Sequence, residues 1–384
     1  MSRSIVFLAD QVQDVNIIRP LLALARQHTE ADVMVMATSM FFGRDGTGLW
    51  QMELRAICGR LGIPVFECAS AFEAVQLLQG SHGLLIAAAE SNAKAHEAAH
   101  EIFSVAPSSF LRVTLQHGFE CVGFLHNAAH DRAHGRSAAF NADVICGWFG
   151  DGILRSVGPW ERAKLIITGP PLLLPQPDSG EVDDAFSLPR VIEALMGESE
   201  VTGEQPHRRP APNKHMRPCL ICENLHSVRL GSAILKSGFL AQFTDFAEEA
   251  PGLGLEVWLR PHPAGRYTDI KGVALPEGVK KSSRPIYRED LGRFRFAVSA
   301  PSSILFDFIV AGIPAAVWQD EYGEIDIRNY PGLPVIRKAE DWRAFAEDAE
   351  TKREALLAEQ QAFLDGLAIP DNVEGCYVNL LKSY

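Results

Sequence analysis

A chain of 384 residues with 47% hydrophobic content is long enough to bury two cores, and two domains are the expectation. The formal net charge of −12 excludes a general nucleic-acid binder, which needs a basic footprint to displace counterions from phosphates. Seven cysteines, an odd number in so long a chain, read as thiols of a reducing compartment and not as a disulfide framework.

The first apolar run, Ile5-Val6-Phe7-Leu8-Ala9, stops at Asp10 and is too short for the core of a signal peptide, so it reads as a first strand. No stretch approaches the roughly 18 to 20 apolar residues of a membrane span, which leaves peripheral contact as the only expected membrane association. Over residues 1–175, short β-branched runs at 5–9, 32–37, 65–69, 83–88, 113–116, 144–146 and 165–168 alternate with amphipathic stretches such as 15–27 and 92–103. That alternation predicts a parallel sheet covered by helices, a Rossmann-like lobe.

Between 176 and 217 the periodicity gives way to prolines, a basic cluster His207-Arg208-Arg209 and one short helical stretch near 191–196. This composition suits an interdomain linker. From 218 to 384 the alternation restarts, with strands at 219–222, 256–260, 296–299 and 315–318 and helices near 233–249 and 303–311. A second Rossmann-like lobe follows, facing the first across a central cleft. The last helical pattern, 339–364, is expected to pack back on the N-terminal lobe.

Several strand ends carry chemistry. The strand through Trp258 and Leu259 runs into Arg260-Pro261-His262-Pro263, placing a guanidinium and an imidazole at the edge where open α/β sheets bind ligands. The two prolines fix the backbone around His262. The strand ending at Ser299 leads to Ser302-Ser303 at the start of an apolar helix, where hydroxyls and open N–H groups suit a phosphate. Simple N-capping by either serine is the plainer alternative. Asp307, one turn further on, can orient a serine or complement the helix dipole.

In the N-terminal lobe, the strand at 113–116 ends in His117-Gly118-Phe119-Glu120. Gly118 permits a tight turn that turns His117 and Glu120 toward the cleft, each a candidate base for an acceptor hydroxyl. Asp151, between Gly150 and Gly152 at another strand end, is a third candidate and is equally compatible with a plain turn.

Three signals carry less weight. His96-Glu97-Ala98-Ala99-His100 matches a zinc-protease helix pattern, but no third ligand follows at a recognised spacing, and neither metal nor cofactor is expected. Cys219-Leu220-Ile221-Cys222 lacks a second pair and reads as core. His126, His130 and His134 fall on one helical face, read as solvated.

In order, Gln116-His117-Gly118, Gly169-Pro170-Pro171, Leu220-Ile221-Cys222-Glu223, Arg260-Pro261-His262-Pro263 and Ser302-Ser303-Ile304-Leu305-Phe306-Asp307 resemble the motif series of bacterial GT-B transferases of surface polysaccharides. These include CDP-glycerol glycerophosphotransferases and the sialyl- and Kdo-transferases of capsule and O-antigen synthesis. The resemblance spans roughly residues 110 to 320 and implies a GT-B fold, with an acceptor-side N-terminal lobe and a donor-side C-terminal lobe. It also implies that Glu223, Arg260, His262, Ser302, Ser303 and Asp307 hold a nucleotide-sugar donor, without a metal, and that a glycan or glycolipid is the acceptor. The implied setting is the cytoplasm, with peripheral contact at the inner membrane or in a polysaccharide assembly complex. Phe119-Glu120-Cys121 stands where glycerophosphotransferases carry Thr-Pro-Leu-Lys, and Ala300-Pro301 where they carry Asp-Tyr before the serines. Those departures count against glycerol phosphate transfer, while the histidine-proline and serine-pair elements, shared with transferases of CMP-linked acidic sugars, favour sugar transfer from a CMP-linked donor such as CMP-Kdo, with Glu120, Asp151 or Glu223 as the carboxylate at the anomeric carbon. A CDP-glycerol glycerophosphotransferase-like enzyme is the first alternative, and a UDP-sugar epimerase of the same fold and a non-catalytic nucleotide-sugar-binding protein are the further ones.

Overall fold

The computed structural model describes residues 2–177, 216–225, 230–263 and 265–383. The short helix expected at 191–196 and the basic cluster at 207–209 lie outside the described residues. The first sheet holds β1 (Ser2–Ala9), β2 (Asp32–Thr38), β3 (Val65–Cys68), β4 (Ser81–Ala87), β5 (Phe110–Leu115), β6 (Val144–Gly147) and β7 (Leu165–Ile167). Its strands are parallel, in the order β3-β2-β1-β4-β5-β6-β7. Helices α1 (Asp14–His28), α2 (Ser39–Arg44), α3 (Leu49–Leu61), α4 (Ala71–Leu78), α5 (Glu97–Val105) and α6 (Ala128–His134) connect them. Residues 5–9 of β1 are wholly buried, which is why this central strand reads as a continuous apolar run and does not alternate.

A second parallel sheet repeats the plan. Its strands are β8 (Arg217–Cys222), β9 (Leu255–Arg260), β10 (Lys280–Lys281), β11 (Ala297–Ser299), β12 (Ala315–Trp318) and β13 (Val335–Ile336), ordered β10-β9-β8-β11-β12-β13. Helices α7 (Ala233–Glu249), α8 (Tyr267–Ile270) and α9 (Ile304–Val310) accompany it. On α7, Phe239, Phe243 and Phe246 recur at helical spacing and share one face. Phe239 meets Trp318 edge-on at 5.1 Å, and Phe246 stacks on Trp342 at 5.3 Å, forming the second core. In both sheets the strand order reverses after the third strand, at β1/β4 and at β8/β11, which opens a crevice at the carboxyl ends of those strands.

The pattern at 339–364 is not one helix. It breaks at Lys352 into α10 (Ala339–Thr351) and α11 (Arg353–Asp365), where Lys352 leaves the helical region and the Thr351 hydroxyl bonds back to the Glu347 carbonyl. The break follows from two destinations: α10 buries Trp342 and Phe345 in the second core, whereas Phe363 of α11 packs on Phe119 of the first lobe. A further helix, α12 (Val373–Lys382), was not anticipated and lies on the first lobe. Its Tyr377 hydroxyl donates to the Gly169 carbonyl at 2.9 Å, and Arg3 donates to the Leu381 carbonyl at 2.9 Å. Gly169 has φ of 79°, and a Cβ there would lie 2.5 Å from a Val373 methyl, so this Gly-Pro turn is the seat of α12. No described helix is long and apolar enough to cross a membrane.

Candidate active site

β5 runs out into Gln116, whose buried amide fixes the next turn. Its Nε2 donates to the Gly118 and Phe119 carbonyls at 2.8 and 3.2 Å, and its Oε1 accepts the Trp148 N–H at 2.9 Å. The turn meets the other lobe at once: the Phe119 N–H donates to Ser303 Oγ at 2.9 Å. A Cβ on Gly118 would stand 2.6 Å from that same oxygen, so the glycine serves close approach and not a left-handed backbone. Ser303 precedes α9, yet its side chain makes no capping bond to that helix. The plain capping alternative does not describe Ser303; its hydroxyl joins the lobes.

His117 is half-buried beside this contact. Its Nδ1 lies 3.4 Å from Cys121 Sγ, and that thiol is itself directed at the Val122 carbonyl at 3.7 Å. Burial pushes the thiol up to about 12, so it keeps its proton and offers a sulfur lone pair to Nδ1–H. His117 then carries its free lone pair on Nε2. Desolvation lowers its pKa to about 4, so the ring is neutral at physiological pH.

The residues expected to hold a donor lie around the second order reversal. The Asn224 amide after β8 donates to the Pro301 carbonyl at 2.8 Å, tying the two strand ends on either side of the crevice. Burial raises the Asp307 carboxyl to about 7, with Arg260 pulling against the rise. Arg260 differs from its expected role: it is buried, and its guanidinium points into the lobe, donating to the Arg284 carbonyl at 2.6 Å and Ser282 Oγ at 3.4 Å. It holds the segment after β10 in place. Glu223, raised by burial, accepts the Thr268 N–H at 3.1 and 3.3 Å, and the His262 carbonyl accepts the N–H groups of Gly265 and Arg266 at 3.1 and 2.9 Å. Glu223 therefore braces the loop that carries His262.

Two expected carboxylates are elsewhere. Glu120 does not open on the cleft. It is buried and accepts from Asn329 at 2.5 Å, Asn127 at 3.3 Å and Tyr330 at 3.4 Å, bridging to the loop between β12 and β13. Asp151 stands on an exposed turn, ion-paired with Arg162. The histidine series also divides: His126 precedes α6 and is buried, its Nε2 accepting the Gly123 N–H at 2.7 Å, so the three rings do not form a solvated face. His96 and His100 turn to different partners, Ser91 Oγ at 2.7 Å and the Glu90 carboxylate. Cys219 and Cys222 are buried thiols, as their flanks imply.

Spacing did not single out the carboxylates at the end of β1. Asp14 Oδ2 accepts the N–H groups of Asp10 and Gln11 at 2.9 and 2.8 Å, and Asp10 Oδ1 accepts the Thr38 hydroxyl at 2.7 Å. Asp14 Oδ1 and Asp10 Oδ2 are buried with no partner among the described residues. Burial, with Asp10 adding repulsion, raises Asp14 from 3.8 to about 7, while Arg44 opposes the rise. The protonated form is thus favoured by folding, and its stabilisation is full below pH 4 and lost as pH rises through 7. In Asp14→Asn the retained oxygen still accepts both N–H groups and nothing ionises. The melting temperature of the natural protein is expected to fall relative to this variant between pH 4 and 7, and parallel curves in thermal melts would remove the assignment.

No protein-family profile and no curated protein matches the chain. Solved structures do. The Staphylococcus aureus MnaA–UDP structure aligns with TM-score 0.61 at 10% identity, over 100% of this chain and 97% of that one. A putative UDP-N-acetylglucosamine 2-epimerase from Listeria monocytogenes aligns at 0.56 and 12% identity, covering 99% and 95%. Anabaena HepE, solved with UDP and glucose, aligns at 0.55 and 11% identity over the whole of both chains. The chain has the GT-B fold. In GT-B terms, the His117 turn and Ser303 are where the two lobes touch at the cleft, and glycosyltransferases and 2-epimerases are its structural neighbours.

Proposed function

We propose that the chain transfers a sugar from a nucleotide-activated donor, held by the C-terminal lobe, to an acceptor hydroxyl presented by the N-terminal lobe. The observation that carries this reading is the contact of Phe119 N–H with Ser303 Oγ, which sets a neutral imidazole beside the serine pair. His117 Nε2 takes the acceptor proton as the acceptor oxygen bonds to the anomeric carbon. The bond from that carbon to the phosphate oxygen breaks, and the leaving phosphate keeps the electron pair, stabilised by Ser302, Ser303 and His262. Glu120, Asp151 and Glu223 are all engaged elsewhere, which supports direct displacement with inversion over a carboxylate nucleophile.

The motif order favours a CMP-linked donor such as CMP-Kdo, and a bacterial capsule or lipopolysaccharide O-antigen as the glycan extended, on the cytoplasmic face of the inner membrane. A UDP-sugar epimerase is the second reading, favoured by the alignment with the Listeria 2-epimerase at 0.56 over nearly the full length of both chains. Thermal melts with CMP, CDP, UMP, UDP and GDP separate them. A nucleotide at 100 times its Kd stabilises the fold by about 2.7 kcal/mol. CMP is expected to give the largest rise in Tm; a rise with UDP alone moves the assignment to a UDP-sugar enzyme, and no rise with any nucleotide removes the donor site.

A further inference from the structure

The His-Glu-x-x-His sequence finds no role in the proposed site as a pair, but its first histidine does. His96 lies in a short turn before α5, is 4% exposed, and meets His117 edge to face, with ring centroids 5.3 Å apart and planes at 85°. Its own orientation is set from behind. Ser91 Oγ accepts the Ala93 N–H at 3.3 Å and is hydrogen-bonded to His96 Nδ1 at 2.7 Å, which fixes the ring from that side. Burial, then the nearness of His117, Arg44, His134 and His100, keeps it neutral by lowering its pKa well below the ordinary value.

Ser91 follows β4 and His117 follows β5, adjacent strands of the first sheet. The pair thus couples two neighbouring strand ends on the acceptor side. His117 is gripped on its Nδ1 side by Cys121 and packed by His96, so two contacts fix the orientation of its ring.

We propose that His96 is a positioning residue for His117: its ring, locked by Ser91, holds the His117 imidazole at the angle that directs Nε2 to the acceptor hydroxyl. The proposal rests on the reading of His117 as the base. A small displacement of a catalytic group costs up to about 100-fold in rate, which sets the expected scale. CMP release from CMP-Kdo is measured with His96→Ala, His96→Phe and His117→Ala, with a melt of each variant as the check on folding. His96→Ala is expected to lower kcat by about 10- to 100-fold with the donor KM unchanged. His96→Phe, which restores a ring of similar size against His117, is expected to recover most of the loss. Wild-type kcat in folded His96→Ala overturns the proposal, as does a loss confined to KM or an equal loss in the alanine and phenylalanine variants. Wild-type turnover in His117→Ala instead removes the underlying assignment of the base.

Discussion

Replacing His117 with alanine is expected to lower turnover by about 100- to 10,000-fold while leaving the nucleotide-induced rise in Tm intact. The separation follows from where the ring stands. His117 belongs to the strand-end turn of the N-terminal lobe, and the backbone that reaches the second lobe is that of Phe119, whose N–H bonds to Ser303 without help from the imidazole. Gln116 holds the Gly118 and Phe119 carbonyls whatever occupies position 117. The turn therefore survives the substitution, and what disappears is a neutral base with pKa near 4. Because that base is already deprotonated at pH 5, the wild-type rate is expected to show no acid limb between pH 5 and 8 from this group. An acid limb with a midpoint near 6.5 that persists in Asp307→Asn, whose own carboxyl is raised to about 7, would contradict the lowering at His117. Full turnover in the alanine variant, measured as donor consumption, would clear His117 of any catalytic role.

The architecture was largely legible because parallel strands buried on both faces are long apolar runs, and each predicted strand at residues 5–9, 32–37 and 219–222 falls within an observed one. The positions of Arg260 and Ser302 at strand ends of the second lobe were legible for the same reason, since such runs lead into them. What the pattern could not convey is direction. Arg260 and Glu223 are at the expected strand ends but turn inward, because each finds a backbone partner there: Glu223 the Thr268 N–H in the loop that follows His262, Arg260 the Arg284 carbonyl beyond β10. The glycine at 118 signalled a turn, whereas its use is to admit Ser303, a residue 185 positions away. Polar residues that meet across the lobes, such as Asp326, Asn329 and Tyr330, have no local periodicity to betray them. The α10–α11 break was hidden because both helices carry a charged outer face, and the apolar side of α11 begins in the second core with Leu356 and reaches the first only at Phe363.

Glu120→Ala is expected to act on the joint between the lobes and not on chemistry. Its carboxylate is the common acceptor for Asn127 of the first lobe and for Asn329 and Tyr330 of the second, all within a buried setting. Leaving buried donors without their acceptor costs about 1 to 3 kcal/mol each, and because Asn329 also donates to the His126 carbonyl, the other two set a total of about 2 to 6 kcal/mol. Neighbouring bridges do not replace it: the Ala128 N–H to Asp326, Arg328 to Asp131 and Arg155 to Asn329 are peripheral, and the two arginines are exposed. A cavity of about 410 Å³ lies beside the network, lined by Phe119, Arg155, Asn329 and Phe363, so apolar packing alone does not close the joint at this point. Loosening it displaces Phe119, and with Phe119 the N–H that reaches Ser303. The variant should therefore melt several degrees lower, and its radius of gyration in solution scattering should rise toward a more open pair of lobes. Its turnover should fall less than that of His117→Ala and recover in part at saturating donor, because a bound nucleotide favours the closed form. Unchanged melting would show that the buried donors find other partners; unchanged melting together with lost turnover would return Glu120 to the chemistry.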